Sequence, residues 1–228
     1  MWVAVNNILK RVFDIVAALG ALIVLSPLMA ACALWVKLDS QGPVLFRQDR
    51  LTRNGRVFKM LKFRSMVQNA EQMGTGLFNY ENDPRVTRSG RFLRDHSLDE
   101  LPQLWNIVKG DMSVVGPRPC VSYELGDFAT LNRRFKKRFE VTAGLTGYAQ
   151  VQGRNELPWD VKADYDNRYI DLYRRWGVLL DGYIILRTFA GVFFHKDIYE
   201  TKQDDGLSDA EAAERANQEV IRMAHEGV

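Results

Sequence analysis

One apolar run limits the folds open to this chain more than any other feature. From Val12 to Val36 the only clearly polar side chains are Asp14 and Ser26, and about 20 apolar residues are enough for a helix to cross the hydrocarbon core of a bilayer. The run has no small-residue cleavage site and continues into Lys37-Leu38-Asp39, so it is expected to stay in the mature protein rather than leave as a signal peptide. Ser26-Pro27 stands at its middle. Proline removes a backbone donor and clashes with the preceding turn, so a kink or break is expected there, with Ser26 helping to satisfy the freed carbonyls. Two arrangements compete: a straight single-pass anchor, and a helix-break-helix hairpin that enters and leaves through one leaflet. Lys10-Arg11 flank one end and Lys37, Arg47 and Arg50 the other. These cations give a straight span no inside-outside bias, whereas a re-entrant segment keeps all of them on the cytoplasmic side.

Outside this run, a chain of 228 residues that is 46% hydrophobic can bury one sizeable core and still carry a tail. Cys32 and Cys120 are its only cysteines, which excludes a disulfide framework and a thiolate zinc site and suits a reducing compartment. The net charge of +3 conceals an asymmetry, because residues 204–228 hold two arginines against seven carboxylates. The rest of the chain is correspondingly more basic and would be drawn to anionic lipid or phosphorylated ligands. The expected organisation is a membrane anchor over 1–40, a catalytic domain over 41–200, and an acidic tail over 201–228 that forms a solvated helix or stays disordered.

Val44-Leu45-Phe46 and Val57-Phe58-Lys59-Met60-Leu61 read as strands joined through Asn54-Gly55, a two-residue hairpin signal. Arg47, Arg50, Arg53, Arg56, Lys59 and Lys62 recur every third residue, a spacing that alternates faces on a strand and makes no single basic stripe. Most of these are expected to be solvated. Lys62 and Arg64, held among apolar neighbours, are the candidates for ligand contact.

The chemistry is expected at Ser97-Leu98-Asp99-Glu100-Leu101-Pro102-Gln103. Leu98, Leu101, Leu104, Trp105 and Val108 recur at helical spacing toward Gly110, with Pro102 tolerated in the first turn and Asp99 at or near the N-cap. One reading is structural: Ser97-x-x-Glu100 matches a capping box. The other is that a helix N-terminus and nearby cations hold a phosphate while a carboxylate attacks phosphorus, with Mg²⁺ offsetting the repulsion. Arg94 and the Arg118 of Gly116-Pro117-Arg118-Pro119 are candidate phosphate clamps. Gly147-Tyr148-Ala149-Gln150 and Gln152-Gly153-Arg154-Asn155 form a glycine-punctuated polar stretch, and no Walker A or dinucleotide fingerprint occurs. Asp164-Tyr165-Asp166 is a short acidic triplet on an expected helix. Val178 to Phe194 is a second apolar run carrying Asp181 and Arg187, too short and charged for a span and suited to a core or interfacial helix. A rival reading takes Arg133-Arg134-Phe135-Lys136-Lys137-Arg138-Phe139 as a nucleic-acid or headgroup surface.

In order along the chain, Lys10-Arg11-x-x-Asp14, Ser26-Pro27, Lys62-Phe63-Arg64, Asp83-Pro84-Arg85, the Asp99-Glu100 segment, Lys109-Gly110-Asp111-Met112-Ser113, Gly116-Pro117-Arg118-Pro119, Gly147-x-Ala149-Gln150 and Gly153-Arg154-Asn155 form an ordered set. The set resembles the bacterial sugar transferase family, monotopic phosphoglycosyl transferases that begin surface-glycan assembly on a polyprenyl phosphate. The resemblance runs from about Lys10 to Lys196. It implies a helix-rich α+β fold with an N-terminal re-entrant helix-break-helix, a small β-hairpin and amphipathic interfacial helices around the active site. It also implies a location on the cytoplasmic face of the bacterial inner membrane. The implied reaction moves a sugar phosphate from a UDP-sugar to polyprenyl phosphate with release of UMP. Asp99 corresponds to the nucleophile and Glu100 to its partner. Lys62, Arg64, Arg94, Arg118, Gln150, Arg154 and Asp181 are the substrate-binding candidates, and Asp99 and Asp181 the candidate Mg²⁺ ligands. UDP-sugar, lipid phosphate and membrane are the expected partners, nucleic acid is not, and homo-oligomerisation is left open. Thr52 stands where the family commonly has glycine, and Ala143 where proline often precedes the glycine.

Overall fold

The structure, a computed structural model, describes residues 2–73, 83–153, 157–193 and 209–226. In chain order the elements are α1 (Trp2–Asp39), β1 (Leu45–Leu51), β2 (Val57–Phe63), α2 (Arg88–Asp95), α3 (Gln103–Lys109), β3 (Ser113–Val115), α4 (Arg133–Lys136), β4 (Gly144–Thr146), α5 (Tyr148–Gly153), α6 (Trp159–Trp176), α7 (Val178–Phe193) and α8 (Asp209–His225). The fold is helix-rich α+β, as the sequence implies. The helical hydrogen-bonding pattern of α1 runs through Pro27 without a non-helical interruption, and the Ser26 hydroxyl donates to the Ile23 carbonyl at 2.8 Å. An expected break in the helix is therefore not seen in the backbone assignment.

Among the described residues α1 is the one helix long and apolar enough to cross a membrane, yet it is also part of the core. Asn6, Asp14, Ala18, Cys32 and Val36 are buried at helical spacing along one face. Ala18 packs among Phe58, Met60, Leu104 and Ile107, while Cys32 and Val36 pack with Phe63 and Leu93. Polar ties secure both ends: Arg11 donates to the Ile107 and Val108 carbonyls, the Val114 N–H donates to Asp14, and Ser89 donates to Asp39. The opposite face exposes Val12, Val16, Ile23, Val24, Leu34 and Leu38.

β1 and β2 pair antiparallel from Leu45↔Phe63 to Leu51↔Val57. The connection is longer than the two-residue turn that Asn54-Gly55 suggests, because Thr52 and Arg56 still bond across it and a short 3-10 turn, Arg53–Gly55, closes the end. Asn54 and Gly55 do supply the left-handed conformations (φ 59° and 72°) that such a tip requires. β3 and β4 form a separate parallel pair. A Cβ on Gly144 would lie 2.1 Å from the Gly116 nitrogen, so only glycine lets the turn after β3 sit against the start of β4.

The C-terminal segment is a helix, but not a purely solvated one. Ala224 of α8 is buried with Cys120, Leu125 and Phe135, and the Asn132 side chain donates to the Met223 and Glu226 carbonyls. The cations of 133–139 are largely spent inside the body as well: Arg134 pairs with Asp164, Lys137 with Asp171, and Arg138 with buried Asp166 at 2.9 Å. Burial pushes the Asp166 carboxyl up to about 6, against the pull of Arg138. These pairings engage Asp164 and Asp166 of the acidic triplet and offset the charge of Arg134, Lys137 and Arg138.

Thr52 and Ala143, two of the departures from the pattern of the family that the sequence resembles, are bonded to each other. The Ala143 N–H donates to the Thr52 hydroxyl at 3.2 Å, and that hydroxyl donates to the Asp111 carbonyl at 3.0 Å. Proline at 143 would bring no N–H to satisfy; alanine does, and Thr52 accepts it in a buried site. Thr52→Gly should therefore cost about 1–3 kcal/mol of stability by orphaning that donor. Adding Ala143→Pro should recover part of the loss, read as a coupling in a double-mutant cycle of thermal unfolding. Additive effects would contradict the pairing.

Candidate active site

The acidic pair lies on a 3-10 turn, Leu98–Glu100, between α2 and α3. Ser97 is left-handed (φ 55°) and makes no capping bond. It serves instead as the stop of α2, donating its N–H to the Arg94 carbonyl at 2.9 Å. The N-cap of α3 is Pro102, which has no side-chain oxygen to offer. The capping box is therefore not formed, and Asp99 is not an N-cap. α3 does end at Gly110 in the left-handed conformation, as expected.

Freed from capping, the two carboxylates have different surroundings. Glu100 is held between Lys62 of β2 at 3.0 Å and Arg118 of the Pro-Arg-Pro turn at 2.6 Å. Burial alone would raise its pKa, but Arg118 and Lys62 overcome that and keep it well below the usual carboxylate range. Asp99 is 7% exposed and has no hydrogen bond or ion pair to a described residue. Its pKa is raised, by burial first and then by Glu100, against the opposing charges of Lys62, Arg94 and Arg118. Burial likewise lowers the pKa of the Lys62 ammonium, against Glu100. The site thus places one fixed, ionised carboxylate beside one unengaged carboxylate, within a ring of cations. That arrangement can hold an anion and present Asp99 to it.

The other sequence candidates are placed differently. Arg94 stands at the rim, donating Nε to the Ser65 hydroxyl at 2.8 Å while its charge reaches Asp99. Gln150 donates to the Leu145 carbonyl at 3.1 Å beside the Gly116 turn. Arg64 and Asp181 have other partners. Arg64 is buried with its guanidinium donating to the Val36, Ser40 and Pro43 carbonyls, so it closes the C-terminal end of α1 rather than facing a ligand. Asp181 is engaged by Lys10 at 2.6 Å and by the Tyr169 hydroxyl at 2.9 Å, tying α7 to α1 and α6. Lys10 and Asp14 are among the largest influences on Asp181, whereas Lys62, Glu100, Arg94 and Arg118 are those on Asp99. The expectation that Asp99 and Asp181 share a metal therefore finds no support in the geometry. Among the described residues no group of three metal-ligating side chains occurs. Arg154 lies outside the described residues.

Arg50 belongs to the site although the sequence reading left it among solvated hairpin charges. It donates to the Pro119 carbonyl at 2.8 Å and to Gln48, which supports the turn that carries Arg118. The register shows the missed signal: Phe46↔Lys62, Gln48↔Met60 and Arg50↔Phe58 are cross-strand pairs, so even-numbered residues of both strands share one face. Arg47 on the other face is exposed, and Lys59 pairs with Asp49 in solvent.

The electrostatics makes a two-way prediction. Arg118 favours the Asp99 carboxylate, so Arg118→Gln should raise the pH at which Asp99 loses its proton. Glu100 disfavours it, so Glu100→Gln should lower that pH. The pH dependence of esterification at Asp99 by a reagent selective for protonated carboxyls, read by mass spectrometry, tests both. Shifts in the same direction would contradict this electrostatic picture.

The family model described as bacterial sugar transferase matches residues 5–195. The chain is 41% identical over 201 residues to the UDP-glucose:undecaprenyl-phosphate glucose-1-phosphate transferase of Escherichia coli (strain K12), covering 86% of this chain and 42% of that protein. It is 41% identical over 183 residues to the UDP-N-acetylgalactosamine-undecaprenyl-phosphate N-acetylgalactosaminephosphotransferase of Aeromonas hydrophila, covering 79% and 42%. It is 36% identical over 209 residues to the exopolysaccharide production protein ExoY of Sinorhizobium fredii (strain NBRC 101917 / NGR234), covering 86% and 90%. The chain therefore spans about two-fifths of the first two relatives and nearly all of the third.

Proposed function

The chain belongs to the bacterial sugar transferase family, and on that premise we propose that it transfers a sugar phosphate from a UDP-sugar to a polyprenyl phosphate, through an ester on Asp99. The observation that carries this reading is the difference between the two carboxylates, with Glu100 fixed by Lys62 and Arg118 and Asp99 without a hydrogen bond or ion pair among the described residues. In the first step an Asp99 oxygen attacks the sugar-bearing phosphorus of the UDP-sugar. The bond from that phosphorus to the bridging oxygen breaks, and UMP leaves with the electron pair. In the second step a phosphate oxygen of the lipid attacks the same phosphorus and the bond to Asp99 breaks. This restores the carboxylate and leaves a polyprenyl diphosphate sugar. Two separate displacements let one cationic site receive two anionic substrates in turn. Lys62, Arg94 and Arg118 supply fixed positive charge where charge builds up on the transferring group.

Asp99 fits as one oxygen ligand for Mg²⁺, an ion that is commonly held by one or two carboxylates plus substrate phosphates. Asp181 does not fit, because Lys10 and Tyr169 already occupy its oxygens. Asp99 with the diphosphate of the substrate would hold the ion, which when bound offsets diphosphate charge.

The same reading places the chain on the cytoplasmic face of the bacterial inner membrane. Both ends of α1 are tied to one body, and its free face is apolar. α7 exposes Leu179, Leu186 and Phe189. Faces of this kind lie in the interface or dip into one leaflet. Cysteines introduced at Ala4 and Gln41 should both react from the cytoplasmic side of inverted vesicles, with little background from buried Cys32 and Cys120. Labelling of the two from opposite sides would establish a span instead.

The reaction is tested with a panel of UDP-sugars, membrane-embedded protein and polyprenyl phosphate, scoring UMP with and without Mg²⁺. At least one sugar should give UMP, and Asp99→Asn, which keeps the shape but not the nucleophile, should lower the rate by about 10³-fold or more. Undiminished UMP release by that variant would contradict the reading, as would a glycan pathway that runs normally with it.

A further inference from the structure

The turn that carries Arg118 is held from outside. Pro117 and Pro119 have no N–H to donate, so the turn is fixed through its carbonyls. Four carbonyls in succession accept bonds from four separate pieces of chain. Pro117 accepts from the Gly144 N–H of β4 at 2.9 Å, and Cys120 from the Leu51 N–H of β1 at 3.0 Å. Pro119 accepts from the Arg50 side chain at 2.8 Å. The carbonyl of Arg118 itself accepts from Nη2 of Arg138 at 2.7 Å. That same Nη2 lies 2.9 Å from the Asp166 carboxylate of α6, and both side chains are buried, at 3% and 2% exposed. The two hydrogens of one nitrogen therefore serve the carboxylate on one side and the Arg118 carbonyl on the other. Trp159 of α6 lies against the guanidinium, 4.9 Å from ring centre to Cζ.

We infer that Arg138, held by Asp166, is a positioning residue for Arg118: it fixes the backbone from which the Arg118 guanidinium reaches Glu100 and the transferring phosphoryl group. The inference rests on the proposed role of Arg118 in that reaction. A buried ion pair adds little to stability, because desolvation of two charges offsets most of their attraction, and here Nε and Nη1 of Arg138 have no hydrogen-bond partner among the described residues. What the pair supplies is direction. Asp166 fixes the guanidinium, the guanidinium fixes the carbonyl, and the carbonyl carbon is bonded to the Cα of Arg118. From that Cα the side chain runs to Glu100, 2.6 Å from its Nη2. Arg50 does the same for the next carbonyl, so the two arginines grip the turn at adjacent residues. A shift of about 1 Å in a group that must meet a transferring phosphoryl can cost about 10²-fold in rate.

Removing the pair as a whole separates position from folding. The double variant Arg138→Met with Asp166→Leu takes away one cation and one carboxylate and should unfold at a temperature equal to or above that of the parent. Its first-turnover release of UMP, per folded molecule, should fall about 10- to 10²-fold. In an Arg118→Gln background the same two changes should cause no further fall, because their effect runs through Arg118. Arg138→Lys keeps a charge opposite Asp166 but has no fork to reach the carbonyl as well, and should lose release likewise. Parent-like release by both folded variants would overturn the inference. So would an undiminished effect in the Arg118→Gln background, or loss of folding in both variants, which would make the pair structural. A second arm needs no sugar: the double variant should raise the pH at which Asp99 loses its proton, as Arg118→Gln does, and an unmoved Asp99 would contradict displacement of Arg118. A parent that releases no UMP from any UDP-sugar, with the Asp99 shift present, sinks the proposed reaction but upholds the placement of Arg118 by Arg138.

Discussion

Glu100 sits between Lys62 and Arg118, and that pair of contacts joins the three pieces of chain on which the site depends. One cation comes from a β-hairpin, the other from a turn fixed by two prolines, and the carboxylate from a 3-10 turn between two short helices. Removing one partner from this part-buried arrangement leaves the others unpaired, at a cost between that of an exposed pair and the about 3–5 kcal/mol of a fully buried one. The same contacts decide the chemistry next door. With Glu100 absorbing the nearest positive charge, Asp99 remains buried, without a hydrogen bond among the described residues, and reluctant to ionise. Once ionised, a carboxylate this poorly solvated is free to attack an electrophile.

The membrane-facing part is built into this arrangement rather than attached to it. α1 contributes Ala18 to the packing beneath the hairpin and Cys32 and Val36 to the packing under α2, so the segment that meets lipid also supports the strands that carry Lys62 and Arg50. Arg64 secures the other end of that support by binding the carbonyls at the close of α1. Asp181 plays a comparable part between α1 and α7 through Lys10. These buried charges are spent on holding an apolar helix against a polar body, where an unpaired group would be costly.

Much of this was legible in the chain because the signals were local. The hairpin, the helix ending at Gly110, the helix through Tyr169 and Tyr173 and the apolar run of α7 all follow from period and turn residues. The acidic pair and its arginines were recognisable as a set. Long-range partners were not legible. Ser97-x-x-Glu100 has the spacing of a capping box, but cations 38 and 18 residues away in sequence from Glu100 compete for its side chain and win. Arg64 and Lys62 look alike in Lys62-Phe63-Arg64, yet one ends in the site and the other against α1, because β2 ends at Phe63 and Arg64, beyond it, meets the carbonyls at the close of α1. Parity along the hairpin, applied to Arg50, would have placed it with Lys62. No local pattern marks the bond between Thr52 and Ala143, which are 91 residues apart.

The most direct test is to quench a reaction with a UDP-sugar before lipid phosphate is added, digest the protein and map the modified peptide. A sugar phosphate on Asp99, removed by hydroxylamine as an acyl phosphate should be, is the predicted result. A peptide that carries Asp99 unmodified while UMP accumulates in stoichiometric or greater amounts would contradict it.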